Sequence, residues 1–304
     1  MIFVIRVALY YLSCILIASY MSLFERKLIG RIQRRIGPSN CGVCGILQPI
    51  ADAIKLFFKN TPFSDYPKQT IIGACLVFMT SLCQLTLIPV FANFCNFKNG
   101  LILIILSQSL MAFSETLIGT TSNSRYGIIG GNRAYIQNIG GHLLIMLLVT
   151  IMMLMSSGTS VLGFVHMQAD ISLLIQLIPL AVMFFLSLLI TGNRTPFDFT
   201  EAESELVAGA YVECGGILFA MIYLSDYLNL LFISALFATL FLHGISTPAP
   251  YLIELLIKTT FCISFVILIR AILPRYTQFQ MLKIAWHIAI VLLLLVAIFL
   301  NLRV

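Results

Sequence analysis

Eight stretches of this chain, at about 2–24, 71–92, 101–120, 139–155, 171–192, 217–242, 251–272 and 284–302, are almost continuously apolar. Most match the ~20 residues a helix needs to cross ~30 Å of hydrocarbon. In lipid every backbone polar group needs an internal partner, so a spanning segment is a helix or part of a closed barrel. Barrel strands alternate apolar and polar residues, and these stretches do not. The fold class expected is therefore an all-α polytopic membrane protein of about eight spans, forming a single transmembrane domain over residues 1–304. Only 10% of residues are charged, against roughly 25% in a soluble domain.

The basic residues lie mostly on one side. Arg26, Lys27, Arg31, Arg34, Arg35, Lys55, Lys59, Lys68, Arg125, Arg133, Arg194, Arg270, Arg275 and Lys283 fall in the first, third, fifth and seventh connections. Arg6, Lys98, Lys258 and Arg303 make up the rest of the 18. By the positive-inside rule the odd connections face the cytoplasm or matrix, and both termini face the opposite compartment. The net charge of +6 is thus a topology signal. Nucleic acid is not an expected partner, because that needs a clustered basic face; membrane lipid is. No cleavable signal follows the first apolar stretch. Cys41 and Cys44 form a C-x-x-C, but no second pair completes the four ligands of a zinc site, so no metal is expected.

Two odd connections carry more than charge. Over about 46–59, Leu47, Ile50, Ala51, Ile54 and Phe58 recur at helical spacing opposite Gln48, Asp52, Lys55 and Lys59. This is the pattern of an amphipathic helix lying in the interface, with Pro49 tolerated in its first turn. In the acidic loop 193–214, Asp198, Glu201, Glu203, Glu205 and Glu213 crowd between two spans. Thr200 with Glu203 reads as a capping box, which would put Glu201 and Glu205 on one helix face. Ionisable groups at membrane depth are usually functional, and clustered acids can hold and pass protons.

The run Glu25-Arg26-Lys27-Leu28-Ile29-Gly30-Arg31-Ile32-Gln33-Arg34-Arg35-Ile36-Gly37-Pro38 resembles the E-R-K-x-x-G-x-x-Q-x-R-x-G-P signature of the subunit-1 family of NADH:quinone oxidoreductase, respiratory complex I. Leu47-Gln48-Pro49-Ile50-Ala51-Asp52 and the stretch from Asn193-Arg194-Thr195-Pro196-Phe197-Asp198 to Glu205 and Glu213 resemble two further segments of that family. The resemblance implies a core membrane subunit of a proton-pumping enzyme, not catalytic alone, that forms the access channel for ubiquinone and links its reduction to proton translocation. It implies ubiquinone as substrate, with flavin and iron–sulfur clusters on partner subunits only. The implied partners are the hydrophilic subunits at the quinone site and neighbouring membrane-arm subunits. The implied location is the mitochondrial inner membrane, or alternatively a bacterial plasma membrane.

By the same resemblance Arg26, Gln33, Arg35, Asp52, Arg133, Arg194, Phe197 and Arg275 shape the quinone channel or the docking of the hydrophilic arm. Asp198, Glu201, Glu203, Glu205, Glu213 and Asp226 carry protons. The chain departs from the family where His142 and Thr191 replace glutamates and where Thr277 to Gln280 replace R-Y-D-Q. Glu115 stands where the family has no acid. Counted from the inner ends of their spans, Glu115 and His142 lie at similar depth, so they are expected to form a proton-sharing pair. Rival readings are the membrane subunit of an energy-converting hydrogenase and a secondary transporter; the absence of repeats argues against the transporter.

Overall fold

The computed structural model describes residues 2–59, 66–89, 97–156, 158–167, 178–242 and 248–303. Among these residues the chain is all-α, with seven helices long and apolar enough to cross a membrane. They are α1 (Ile2–Ile32), α3 (Lys68–Leu85), α4 (Gly100–Thr120), α5 (Arg125–Ser156), α9 (Gly216–Phe241), α10 (Pro248–Ile272) and α11 (Gln278–Arg303). Between them lie α2 (Gln48–Phe58), the short α6 (Val161–Met167), α7 (Ile178–Thr191) and the four-residue α8 (Glu203–Leu206). The fifth expected span begins outside the described residues; its remainder is α7, 14 residues long.

The bundle is built around α9, which packs on α1, α2, α3 and α10. On its other flank α4 joins α3 to α5, and α5 carries α7 and α11. Apolar side chains are exposed along α1 (Leu9, Leu12, Leu16), α10 (Ile257, Phe261) and α11 (Ile290, Leu294). With no hydrophobic drive between helices in lipid, such faces are stable against acyl chains or other apolar helices.

Several helix ends differ from the apolar stretches. The first span does not stop at residue 24: α1 continues through Glu25, Arg26 and Arg31 to Ile32. A lone glycine, Gly30, is tolerated inside a helix, and the chain turns only at Arg34, where φ is +55°. The second ends early, at Leu85, ahead of Pro89, which disfavours helix in the residue before it.

The fourth starts much earlier, at Arg125, so Arg133 and Gln137 lie on a helix and not in a loop. Glycines in its first two turns serve as contact points. A Cβ on Gly131 would fall 2.6 Å from the Gly119 carbonyl carbon of α4, and one on Gly130 only 2.4 Å from the Ala210 nitrogen. Small residues let membrane helices approach closely.

Pro49 sits in the first turn of α2, an amphipathic helix as expected. Asp52 pairs with Arg26 of α1 at 3.2 Å, while Leu47, Ile50, Ile54, Phe57 and Phe58 are exposed, open to lipid as the apolar face of an interfacial helix would be.

Candidate functional site

The site lies where α7 ends and the acidic loop folds back against α9 and α10. Gln137 of α5 fixes the entry to this loop, its side-chain amide donating to the carbonyls of Ile190 and Phe197 at 2.7 Å each. Phe197 is thereby buried, its ring 5.7 Å from that of Tyr276. Farther on, the Ala210 amide donates to the Thr200 carbonyl at 3.1 Å. Gly209 makes that closure possible: its φ is +54°, and a Cβ there would lie 1.7 Å from the same carbonyl oxygen.

The capping box does not form. Ala202 is the N-cap residue of α8 and no side chain caps the helix, so Glu201 precedes it and shares no helix face with Glu205. The backbone explains this: Ala202 and Val207 sit at φ +26° and +67°, which breaks any regular helix through the acids.

The loop encloses a cavity of about 20 Å³ lined by Gly192, Asn193, Arg194, Thr195, Asp198, Thr200, Glu201, Tyr211, Asp226 and Arg270. That is room for about one water, far below the few hundred Å³ of a ligand pocket. Asn193 Oδ1, Arg194 Nη2, Thr195 Oγ1, Asp198 Oδ1 and Thr200 Oγ1 are buried without a protein hydrogen-bond partner. Buried polar atoms are rarely left so, and clusters of them are ordinarily bridged by water.

Charge is tightly organised around the cavity. Glu25 of α1, with its side chain 4% exposed, pairs with Arg270 and, at 3.7 Å, with Arg194. The Arg194 guanidinium also lies over the Tyr227 ring, 4.9 Å from its centroid. Burial opposes that charge, but Glu25, Tyr227, Asp226 and Glu201 outweigh it and hold Arg194 above its ordinary pKa. Asp198 is pushed up by burial, partly offset by Arg275, Arg270 and Arg194; Arg275 holds it at 3.1 Å. A carboxyl so placed keeps its proton to a higher pH than a free aspartate.

A polar chain leads from here to α2. Tyr227 meets Tyr223 (3.3 Å between hydroxyls), Arg26 donates to the Tyr223 hydroxyl at 3.3 Å, and Asp52 accepts from Arg26 and, at 3.0 Å, from Gln48.

Of the residues the sequence singles out, Arg194, Asp198, Glu201 and Asp226 share the cavity wall, and Arg26, Asp52, Phe197 and Arg275 support it. Glu205 instead pairs with Arg133 at 2.5 Å, more exposed than buried. Glu213 accepts from the Asn123 amide at 2.9 Å, and Gln33 and Arg35 are exposed. Glu203 opens α8, and its side chain lies outside what the structure describes.

The expected Glu115–His142 pair does not form: no hydrogen bond or ion pair joins them. Glu115 accepts instead from Asn193 (3.0 Å) and weakly from Asn138 (3.5 Å). The early start of α5 is the reason, because His142 lies 17 residues beyond Arg125, roughly 25 Å along the helix, and not one turn inside it.

Sequence reasoning gave no site role to Glu25, Arg270, Tyr223, Tyr227 or Asn193, although Glu25 and Asn193 open two of the runs that resemble the family and Arg270 counts among the inner basic residues.

The family model described as NADH dehydrogenase matches residues 5–301. The chain belongs to the NADH dehydrogenase family. It is a multi-pass membrane subunit of an oxidoreductase of that family. NADH-ubiquinone oxidoreductase chain 1 of Emballonura alecto is 35% identical over 289 residues, covering 93% of this chain and 91% of the relative. The same chain of Oryctolagus cuniculus is 34% identical over 289 residues, with 93% and 91% covered. A bacterial relative, an NADH-quinone oxidoreductase subunit of Magnetococcus marinus, is 33% identical over 296 residues, with 94% and 86% covered.

Proposed function

We propose that this NADH dehydrogenase subunit forms, with neighbouring hydrophilic and membrane-arm subunits, the channel by which ubiquinone reaches its reduction site, and that its acidic loop passes protons from that site toward the membrane arm. The observation that carries the reading is the water-sized cavity in which Arg194, Asp198, Glu201 and Asp226 converge beside unpartnered polar atoms. Reducing a quinone to a quinol consumes two electrons and two protons. The electrons would come from flavin and iron–sulfur clusters on partner subunits, and the protons through this cavity. The cavity is too small for a quinone ring, so the ring would bind in a chamber completed by partners. The open apolar face of α2 suits a long isoprenoid tail.

A ubiquinone analogue with a photoreactive tail tests this in the intact complex. Adducts are expected on this chain within residues 26–58 and 193–213. Adducts confined to other subunits would refute the channel role.

The charge bias supports an inner-membrane topology, mitochondrial or bacterial, with both termini on the outer side. Lys98 and Arg125 flank α4, whose 21 residues span about 30 Å. A membrane-impermeant thiol reagent should therefore label Arg125→Cys and Lys59→Cys from the matrix or cytoplasmic face, and Lys98→Cys from the other. Labelling of Lys98→Cys and Arg125→Cys from one side would defeat this topology.

A further inference from the structure

Glu115 is a carboxylate with no obvious reason to be where it is. It lies five residues from the inner end of α4, roughly 7–8 Å along the helix, and is 2% exposed. Its hydrogen-bond donors are two neutral amides, Asn193 of the acidic loop and Asn138 of α5, and among the described residues it makes no ion pair. The charged and titratable groups that sense it are Glu201 of the loop, Asp226 of α9 and Tyr211 of the 3-10 turn Gly209–Tyr211, two acids and a phenol. Glu201, Asp226, Tyr211 and its own donor Asn193 all line the cavity. Burying a carboxylate costs several kcal/mol unless a cation or a proton accompanies it. Among the described residues no cation does.

We infer that Glu115 is a proton-exchanging neighbour of this cavity, held in register by Asn193 and Asn138, and that it shares protons with Glu201 and Asp226. The inference rests on the proton-passing role proposed for the loop and adds to it a group on a different helix. In the step, a proton leaves a neutral carboxyl of the Glu201–Asp226 group, directly or through water, and binds a Glu115 oxygen. One O–H bond breaks and one forms, and the charge of the cavity as a whole is conserved. The unpartnered Thr200 hydroxyl and Asp198 Oδ1, both buried in the wall, mark where bridging water would be held. The alternative role is structural: Glu115 would be an acceptor that ties α4 to α5 and to the loop.

Glu115→Gln separates the two, because glutamine keeps a carbonyl acceptor for Asn193 and loses the proton site. In the assembled complex, with NADH oxidation by an artificial acceptor reporting assembly, Glu115→Gln is expected to slow quinone-linked NADH oxidation at least about tenfold and to alter its pH profile. Glu115→Asp, which titrates but reaches less far, should keep more of the rate than Glu115→Gln, and this comparison carries the test if the glutamine variant assembles poorly. A wild-type rate and pH profile in Glu115→Gln, or an aspartate variant no better than the glutamine one, overturns the proposal. Glu201→Gln measured in parallel assigns the failure: if it is slowed while Glu115→Gln is not, only Glu115's role falls. If both behave as wild type, the wider reading falls with it.

Discussion

Glu25→Gln is expected to leave little assembled complex. Among the described residues the Glu25 carboxylate is the only acid in ion pairs with Arg194 and Arg270. Glutamine preserves the shape and removes the charge, so one nearly buried and one half-buried guanidinium are left facing each other. Removing one partner of a buried ion pair costs about 3–5 kcal/mol. Arg270 is about one-third exposed, and solvent screening discounts its share, which puts the loss near the lower end, at about 3 kcal/mol. Destabilisation of even 1–2 kcal/mol changes cellular abundance several-fold. The measurement is the amount of complex on a native gel, alongside its thermal denaturation. Wild-type abundance and thermal midpoint would show that the Glu25 cluster does not hold the site together. A second variant, Arg270→Gln, should be milder, because Glu25 would keep Arg194.

Much of this molecule is legible one residue at a time. Apolar stretches announce membrane helices because lipid leaves the backbone no other choice. The α2 helix announces itself by period, and Pro49 by its tolerance in a first turn. What holds α2 to the bundle was not legible, since Asp52 pairs with Arg26 of a different helix. Helix ends failed where a local rule met a distant partner. The polar residues Asn132, Arg133, Gln137 and Asn138 hide the early start of α5, and Gly130 and Gly131 become contacts only once Gly119 and Ala210 are set against them. That error displaced His142 and produced an expected partner for Glu115 that the fold does not supply.

The acids of the site were visible as charge in an apolar chain. The cations that answer them were harder: Arg270 meets Glu25 across 245 residues, and no spacing rule reaches so far. Asn193 was given no site role because an amide in a polar loop is ordinary; the fold sets it 3.0 Å from Glu115 as a donor.

If Glu201 and Asp226 hold protons for quinone chemistry, the double variant Glu201→Gln, Asp226→Asn removes both at once. Both side chains line the same water-sized cavity and sense each other's charge. Positioned acid–base groups contribute typically 10²–10⁴-fold to proton transfer. Amides of the same shape fill the same space and remove the titrating protons. The quantity to measure is the ratio of quinone-linked to artificial-acceptor NADH oxidation in the assembled complex. This ratio is expected to fall about a hundredfold, with the artificial-acceptor rate itself preserved, since that reaction ends before the membrane. A fully assembled double variant whose ratio equals that of the wild type would contradict that role.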